Sequence, residues 1–174
     1  MAPALRDLDV QLVWQPLDLS QLLSRYRRGA PISEQRRDNV RRVARELDVA
    51  VEAPPTWPDS RDVNAVSLAL EDAARAATWR ERIFTALHEE RRTPPTASET
   101  AAWTRDLGWT LPAAGIERAR AALRLQTEEA RDAMVTGVPT FMLGPWPVGG
   151  IQTQETMLQI LGRHAAKVRA DGRA

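Results

Sequence analysis

Apolar residues recur at helical spacing along most of this chain and give way to short β-like runs near both ends. Val10-Gln11-Leu12-Val13-Trp14 is β-branched and aromatic and stops at Pro16, which predicts a short early strand. Leu17 to Arg28 reads as a weak helix or loop, and Gly29-Ala30-Pro31 breaks the chain. Ser33 is placed to cap a helix running to about Asp48, with Val40, Val43, Ala44 and Leu47 as its apolar stripe. Pro54, Pro55 and Pro58 then fix an extended connection. A second helix is predicted from about Val63, with Val66, Leu70, Ala73 and Ala74 on one face. A third starts near Thr78 and turns Ile83, Phe84 and Leu87 inward. Thr93-Pro94-Pro95 is another break. Thr96 with Glu99 forms a capping box for a helix over about Ser98 to Leu107, which Gly108 stops. A long helix covers about Ala113 to Met134.

The period then changes. Pro139 to Leu143 and Trp146 to Val148 are short strands separated by Gly144-Pro145, the spacing of an antiparallel hairpin. A last helix covers about Gln154 to Lys167, and residues from about Ala170 are expected to fray. Strand, helices, two strands and helix make an α/β class with a small sheet and a large helical insertion at about 33–134, followed by a ββα motif at about 138–167.

Composition narrows the chemistry. The chain has 174 residues, which suits one domain spanning 1–174. A formal net charge of +1 argues against a dedicated nucleic-acid or polybasic membrane partner. All the basic side chains except Lys167 are arginines, a bias that reads as codon usage. The cysteine count is zero, which excludes a disulfide, a thiolate metal site and a thiol nucleophile within this chain. His88 and His164 are far apart and carry no metal-ligand spacing, so no metal site is expected. No signal peptide or membrane span is visible, and a cytoplasmic location is the default expectation.

Specific motifs then add up. Thr136-Gly137-Val138-Pro139-Thr140-Phe141 is followed by Val148-Gly149-Gly150-Ile151-Gln152 and the last helix. Upstream stand Val13-Trp14-Gln15-Pro16-Leu17 and, after the Pro-rich connection, Val63-Asn64-Ala65-Val66-Ser67-Leu68-Ala69-Leu70. In this order they resemble the DsbA-like thioredoxin-fold family. The resemblance is to the branch with FrnE-type oxidoreductases and 2-hydroxychromene-2-carboxylate isomerases, and it extends over about Val10 to Ala166. It implies a thioredoxin-like sheet and a cis Val138–Pro139 bond. It further implies that Val138 pairs strand-like with glutathione or a peptide, with Gly150 and Gln152 before the last helix and Asn64 as further contacts. Glutathione is the implied small-molecule ligand.

The family's catalytic turn, Cys-x-x-Cys in the oxidoreductases and a serine turn in the isomerases, has no counterpart here. Ala4 to Leu8 resembles the tail of the helix that follows that turn, so the first strand and most of that helix are expected to be missing. That strand is central, and its loss leaves a gap about 4.8 Å per strand spacing with unpaired backbone on both sides. Three arrangements would resolve this. Val10–Trp14 pairs with Pro139–Leu143, a second chain supplies strands, or the true start lies upstream. Repacking or a homo-oligomer is expected for the chain as given. Function divides accordingly. One reading is a binding or oligomeric module without thiol-disulfide oxidoreductase activity. The other is a glutathione-dependent isomerase or transferase-like enzyme whose motif comes from an upstream segment or partner chain.

The remaining features read as structure. The six tryptophans suit core and helix packing more than a pocket wall. Arg36, Arg37, Arg41, Arg42 and Arg45, interspersed with Glu34, Asp38 and Glu46, read as a solvated helix face. Gly29-Ala30-Pro31 stands where the isomerases have Gly-Asn-x-Pro, so a polar contact of that group is absent.

Overall fold

A computed structural model describes residues 7–90, 92–93 and 95–172. The order is α1 (Leu19–Leu22), α2 (Glu34–Glu46), α3 (Arg61–Ala69), α4 (Ala73–Phe84), a π-helical turn (Thr85–Glu89), α5 (Ala97–Asp106), α6 (Ala113–Asp132), β1 (Thr140–Leu143), β2 (Trp146–Gly149) and α7 (Gln154–Ala170). The chain divides into two compact units. One is Pro16–Glu129; the other combines the segment before Pro16 with Ala130 onward. The helix tail expected over Ala4–Leu8 falls largely outside the described residues, as do Pro94 of the expected break and the last two residues of the frayed end.

The helical unit is built on a core of Val63, Val66, Leu70, Trp79, Ile83, Ala86 and Trp103. Trp79 is 0% exposed, and its indole N–H donates to the Val63 carbonyl at 2.9 Å, so its one polar atom is satisfied inside the core. Residues 16–18 are stapled to α6. The Asp18 N–H donates to Thr127 Oγ1 at 3.1 Å, that hydroxyl donates to the Leu123 carbonyl at 2.7 Å, and Gln126 Nε2 donates to the Pro16 carbonyl at 2.6 Å. The Asp18 side chain caps α1 and pairs with Arg28 Nη2 at 2.6 Å.

The helix ends show which signals were local. Thr96 and Glu99 form the expected reciprocal capping box. Gly108, at φ +75°, ends α5 with Trp109 N–H bonded to the Thr104 carbonyl, a Schellman stop. The same stop ends α2 and α6 with Asp48 (φ 51°) and Met134 (φ 62°) in the left-handed position. The helix ends near Asp48 and Met134 were expected, but the left-handed conformation there was not, because neither residue is glycine. The helix expected from Thr78 begins earlier, at Ala73. Asp72 accepts from the Arg75 N–H and starts a new helix where apolar periodicity alone runs on.

In the other unit, β1 and β2 form the expected antiparallel hairpin, with Phe141 opposite Val148 and Leu143 opposite Trp146. Gly144, at φ +61° and followed by Pro145, has the sign pattern of a type II′ turn. Pro147 lies opposite Met142, a pair whose backbone polar groups point away from the partner, so its missing N–H costs the ladder nothing.

The early strand is a correction. Val10–Trp14 is not a strand, and Leu12, Val13 and Trp14 are exposed. Among the described residues β1 pairs only with β2, so the rearrangement joining Val10–Trp14 to β1 does not occur. A β-branched run becomes a strand only when a neighbour accepts its ladder, and among the described residues no strand pairs with Val10–Trp14. No helix among the described residues is long and apolar enough to cross a membrane.

Candidate functional site

The loop joining α6 to β1 is set from both sides. Val135, buried, donates its N–H to the Ala130 carbonyl at 2.9 Å and closes α6. Thr140 Oγ1 donates to the Gly137 carbonyl at 2.7 Å and ties the loop to the start of β1. Between them the Val138–Pro139 peptide bond is cis. Val138 is 53% exposed, and its backbone N–H and C=O make no hydrogen bond among the described residues. The register extends this edge. Gly150 N–H donates to the Pro139 carbonyl at 2.9 Å, so Thr140 and Met142 point their backbone groups away from β2.

The predicted residues are divided between the two units. Val138, Pro139, Gly150 and Gln152 belong to the hairpin unit, whereas Asn64 belongs to the helical unit. Gly150 and Pro139 meet through the bond just described. That bond uses the N–H of Gly150, a residue that the family resemblance gives as a ligand contact. Gln152 Nε2 donates to the Gly149 carbonyl at 3.2 Å, and Thr153 caps α7 by accepting from the Thr156 N–H. Asn64 Nδ2 donates to the Leu17 carbonyl at 3.0 Å and to Ser60 Oγ at 3.3 Å, so it holds backbone within its own unit. Sequence reading missed Met142, Trp146 and Ile151, which are exposed apolar side chains on the same unit. Their signal was the hairpin itself, whose strands are only half covered on one face. Among the described residues no cluster of histidine and carboxylate side chains could hold a metal ion.

The model of the DSBA-like thioredoxin domain matches residues 2–162. The chain belongs to this family. As a DsbA-like chain it has the thioredoxin-like fold in a mostly helical form, with a small two-stranded sheet among the described residues. A solved structure of a 2-hydroxychromene-2-carboxylate isomerase shares that fold with a TM-score of 0.68 and 20% identity, over 99% of this chain and 90% of that one. Among curated proteins, no sequence matches. The DsbA-like chain carries no cysteine.

Proposed function

We propose that this DsbA-like chain is a binding module that engages an extended peptide, or a peptide-like thiol such as glutathione, at Val138–Pro139 and does not exchange disulfides. One observation carries the reading. Among the described residues the backbone of exposed Val138 is unpaired beside an open strand edge, in a chain with no thiol to react. An unpaired edge adds a strand from a partner through main-chain bonds, with side-chain contacts setting preference. Exposed Met142, Trp146 and Ile151 supply apolar surface on that unit. A second copy of the chain adding a strand there would make a homo-oligomer by the same chemistry.

Calorimetry with reduced glutathione and with an extended peptide tests the proposal. Binding that Val138→Asp weakens at least tenfold supports it, by about 1.4 kcal/mol. Absence of binding at millimolar concentration for both ligands refutes it. Insulin-disulfide reduction at the buffer rate is expected throughout. The second reading is a glutathione-dependent isomerase or transferase-like enzyme with its catalytic motif on a partner chain. The fold shared with the isomerase favours it at the level of fold. Turnover of a glutathione-dependent isomerisation by the chain with a partner present, but not alone, would select it.

A further inference from the structure

The helical unit holds a cleft of about 560 Å³, within the roughly 300–1,000 Å³ usual for small-molecule sites. Its lining comes wholly from that unit, and it goes beyond the Val138–Pro139 reading. α1 supplies Ser20 and Gln21, the first turn of α3 supplies Arg61 and Asp62, and α6 supplies Arg120, Leu123 and Arg124. Asp18 and Arg28 come from the segments on either side of α1. Leu123 is the one apolar side chain among them.

Much of this lining is held in place. Asp18 is buried, and its carboxylate accepts from the Ser20 N–H at 3.0 Å and the Ser20 hydroxyl at 2.6 Å, and pairs with Arg28 Nη2 at 2.6 Å. Arg120 ties α6 to α3 by donating from Nε and Nη2 to Asp62 Oδ1, at 3.0 and 2.5 Å. Outside the lining, Asp59 holds Arg61 through Nε and Nη2, at 2.9 and 2.5 Å, and Glu117 pairs with Arg120. Guanidinium groups oriented in this way need little further ordering when a ligand arrives.

Other donors and acceptors are left over. Among the described residues Arg28 and Arg61 each keep Nη1 without a hydrogen bond, and Asp62 keeps Oδ2. The Arg124 side chain makes no hydrogen bond or ion pair among the described residues, although its carbonyl accepts from Gln21 Nε2 at 3.2 Å. Four guanidinium groups and two carboxylates line the cleft. Asp59 and Glu117 offset the excess at Arg61 and Arg120, and the fork of Arg124 stays uncovered.

We infer that this cleft binds a small phosphomonoester with a hydroxylated body, its phosphate recognised by Arg124 with Arg28 and Arg61, and its hydroxyls by Asp62. A guanidinium fork matches phosphate oxygens two at a time. Carboxylate oxygens accept from hydroxyl groups and repel a second anionic group, so the body is neutral and polar. The volume exceeds what a bare phosphate fills, and Leu123 alone offers little surface to an aromatic or alkyl body.

Calorimetry on the whole chain tests this with glucose phosphorylated at its primary hydroxyl, and with glucose, inorganic phosphate and a phosphoserine peptide for comparison. Glucose phosphate is expected to bind at least about tenfold more tightly than any of the three. Arg124→Gln is expected to weaken it at least about tenfold. The thermal midpoint should stay unchanged in that variant, since the side chain is bonded to no other described residue. Val138→Asp is expected to leave binding intact. Any of four results overturns the inference: no binding of glucose phosphate at millimolar concentration, comparable affinity for glucose or inorganic phosphate, comparable or tighter binding of the peptide, or full affinity in Arg124→Gln. Loss of glucose phosphate binding in Val138→Asp would also overturn it, by placing the ligand at the hairpin. Failure of glutathione or extended-peptide binding alone would bear only on the Val138–Pro139 reading.

Discussion

The helical unit hides Trp79 and Trp103 at 0% and 7% exposure, whereas the hairpin unit leaves Trp146 at 66% and Val138 in solvent. In the helical unit Thr127 satisfies two buried backbone groups at once, the Asp18 N–H and the Leu123 carbonyl. The hairpin unit has Val135, Met157 and Leu161 as buried apolar residues among those described, and a strand edge without a partner. The difference separates two kinds of apolar residue. Trp79 and Trp103 stabilise the fold by leaving water, whereas Trp146 remains exposed, as do Phe84 and Leu125 on the outside of the helical unit.

Substitutions can break this contrast. Trp79→Ala should cost the most, about 3–5 kcal/mol by urea unfolding, because it opens a large hole in the helical core. A loss under 1 kcal/mol would mean that this core is not the stable part of the chain. Thr127→Val should cost about 1–3 kcal/mol, since the Asp18 N–H then loses its buried acceptor. Thr96→Ala removes the capping box of α5 and should cost about 0.5–2 kcal/mol, read as a lower thermal midpoint.

A smaller, pH-dependent effect belongs to Asp59. The side-chain hydrogen bond from Arg61 holds its carboxyl below the usual range, against the opposing effect of burial. Its contribution to stability is therefore present above the ordinary carboxylate pKa and disappears as pH falls through the lowered value. Asp59→Asn should lower stability at neutral pH by this contribution and flatten the acid limb below about pH 4, so that the two proteins converge at the acid end. Trp146→Ser should alter unfolding by no more than about 0.5 kcal/mol. It should nevertheless weaken association with a peptide or a second copy in sedimentation velocity. A large loss of stability instead would show that the hairpin face is part of a core.

Most helices were legible because their signals are local. The Thr96–Glu99 box and the Gly108 stop each lie within a few residues of what they determine. The apolar stripes were read less well: Ala44 of the α2 stripe is buried, but Leu47 and, on α4, Phe84 are exposed. The break before Ala73 was also local, but Asp72 had to be read as a cap against a continuing apolar stripe. Asp48 and Met134 end their helices in a conformation that glycine adopts more cheaply, so their types gave no warning. The candidate loop was legible because Gly-Val-Pro-Thr-Phe is contiguous. Asn64 was not resolvable in the same way, since its partners Leu17 and Ser60 decide its role. The cleft around Arg28, Arg61 and Arg124 drew no separate signal. Arginine there looks the same in sequence whether it lies on a solvated face or lines a pocket.

The amino-acid sequence by itself determined that this chain has no thiol chemistry, that helices dominate it, and that a hairpin follows Val138–Pro139. Composition, period and adjacent turn residues are enough for those conclusions. Tertiary structure decided the fate of Val10–Trp14, the bonding of Gly150, and the gathering of Arg28, Arg61 and Arg124 at one cleft. Each of these depends on which partner is within hydrogen-bond or contact distance, and partners distant in sequence are chosen only when the chain folds.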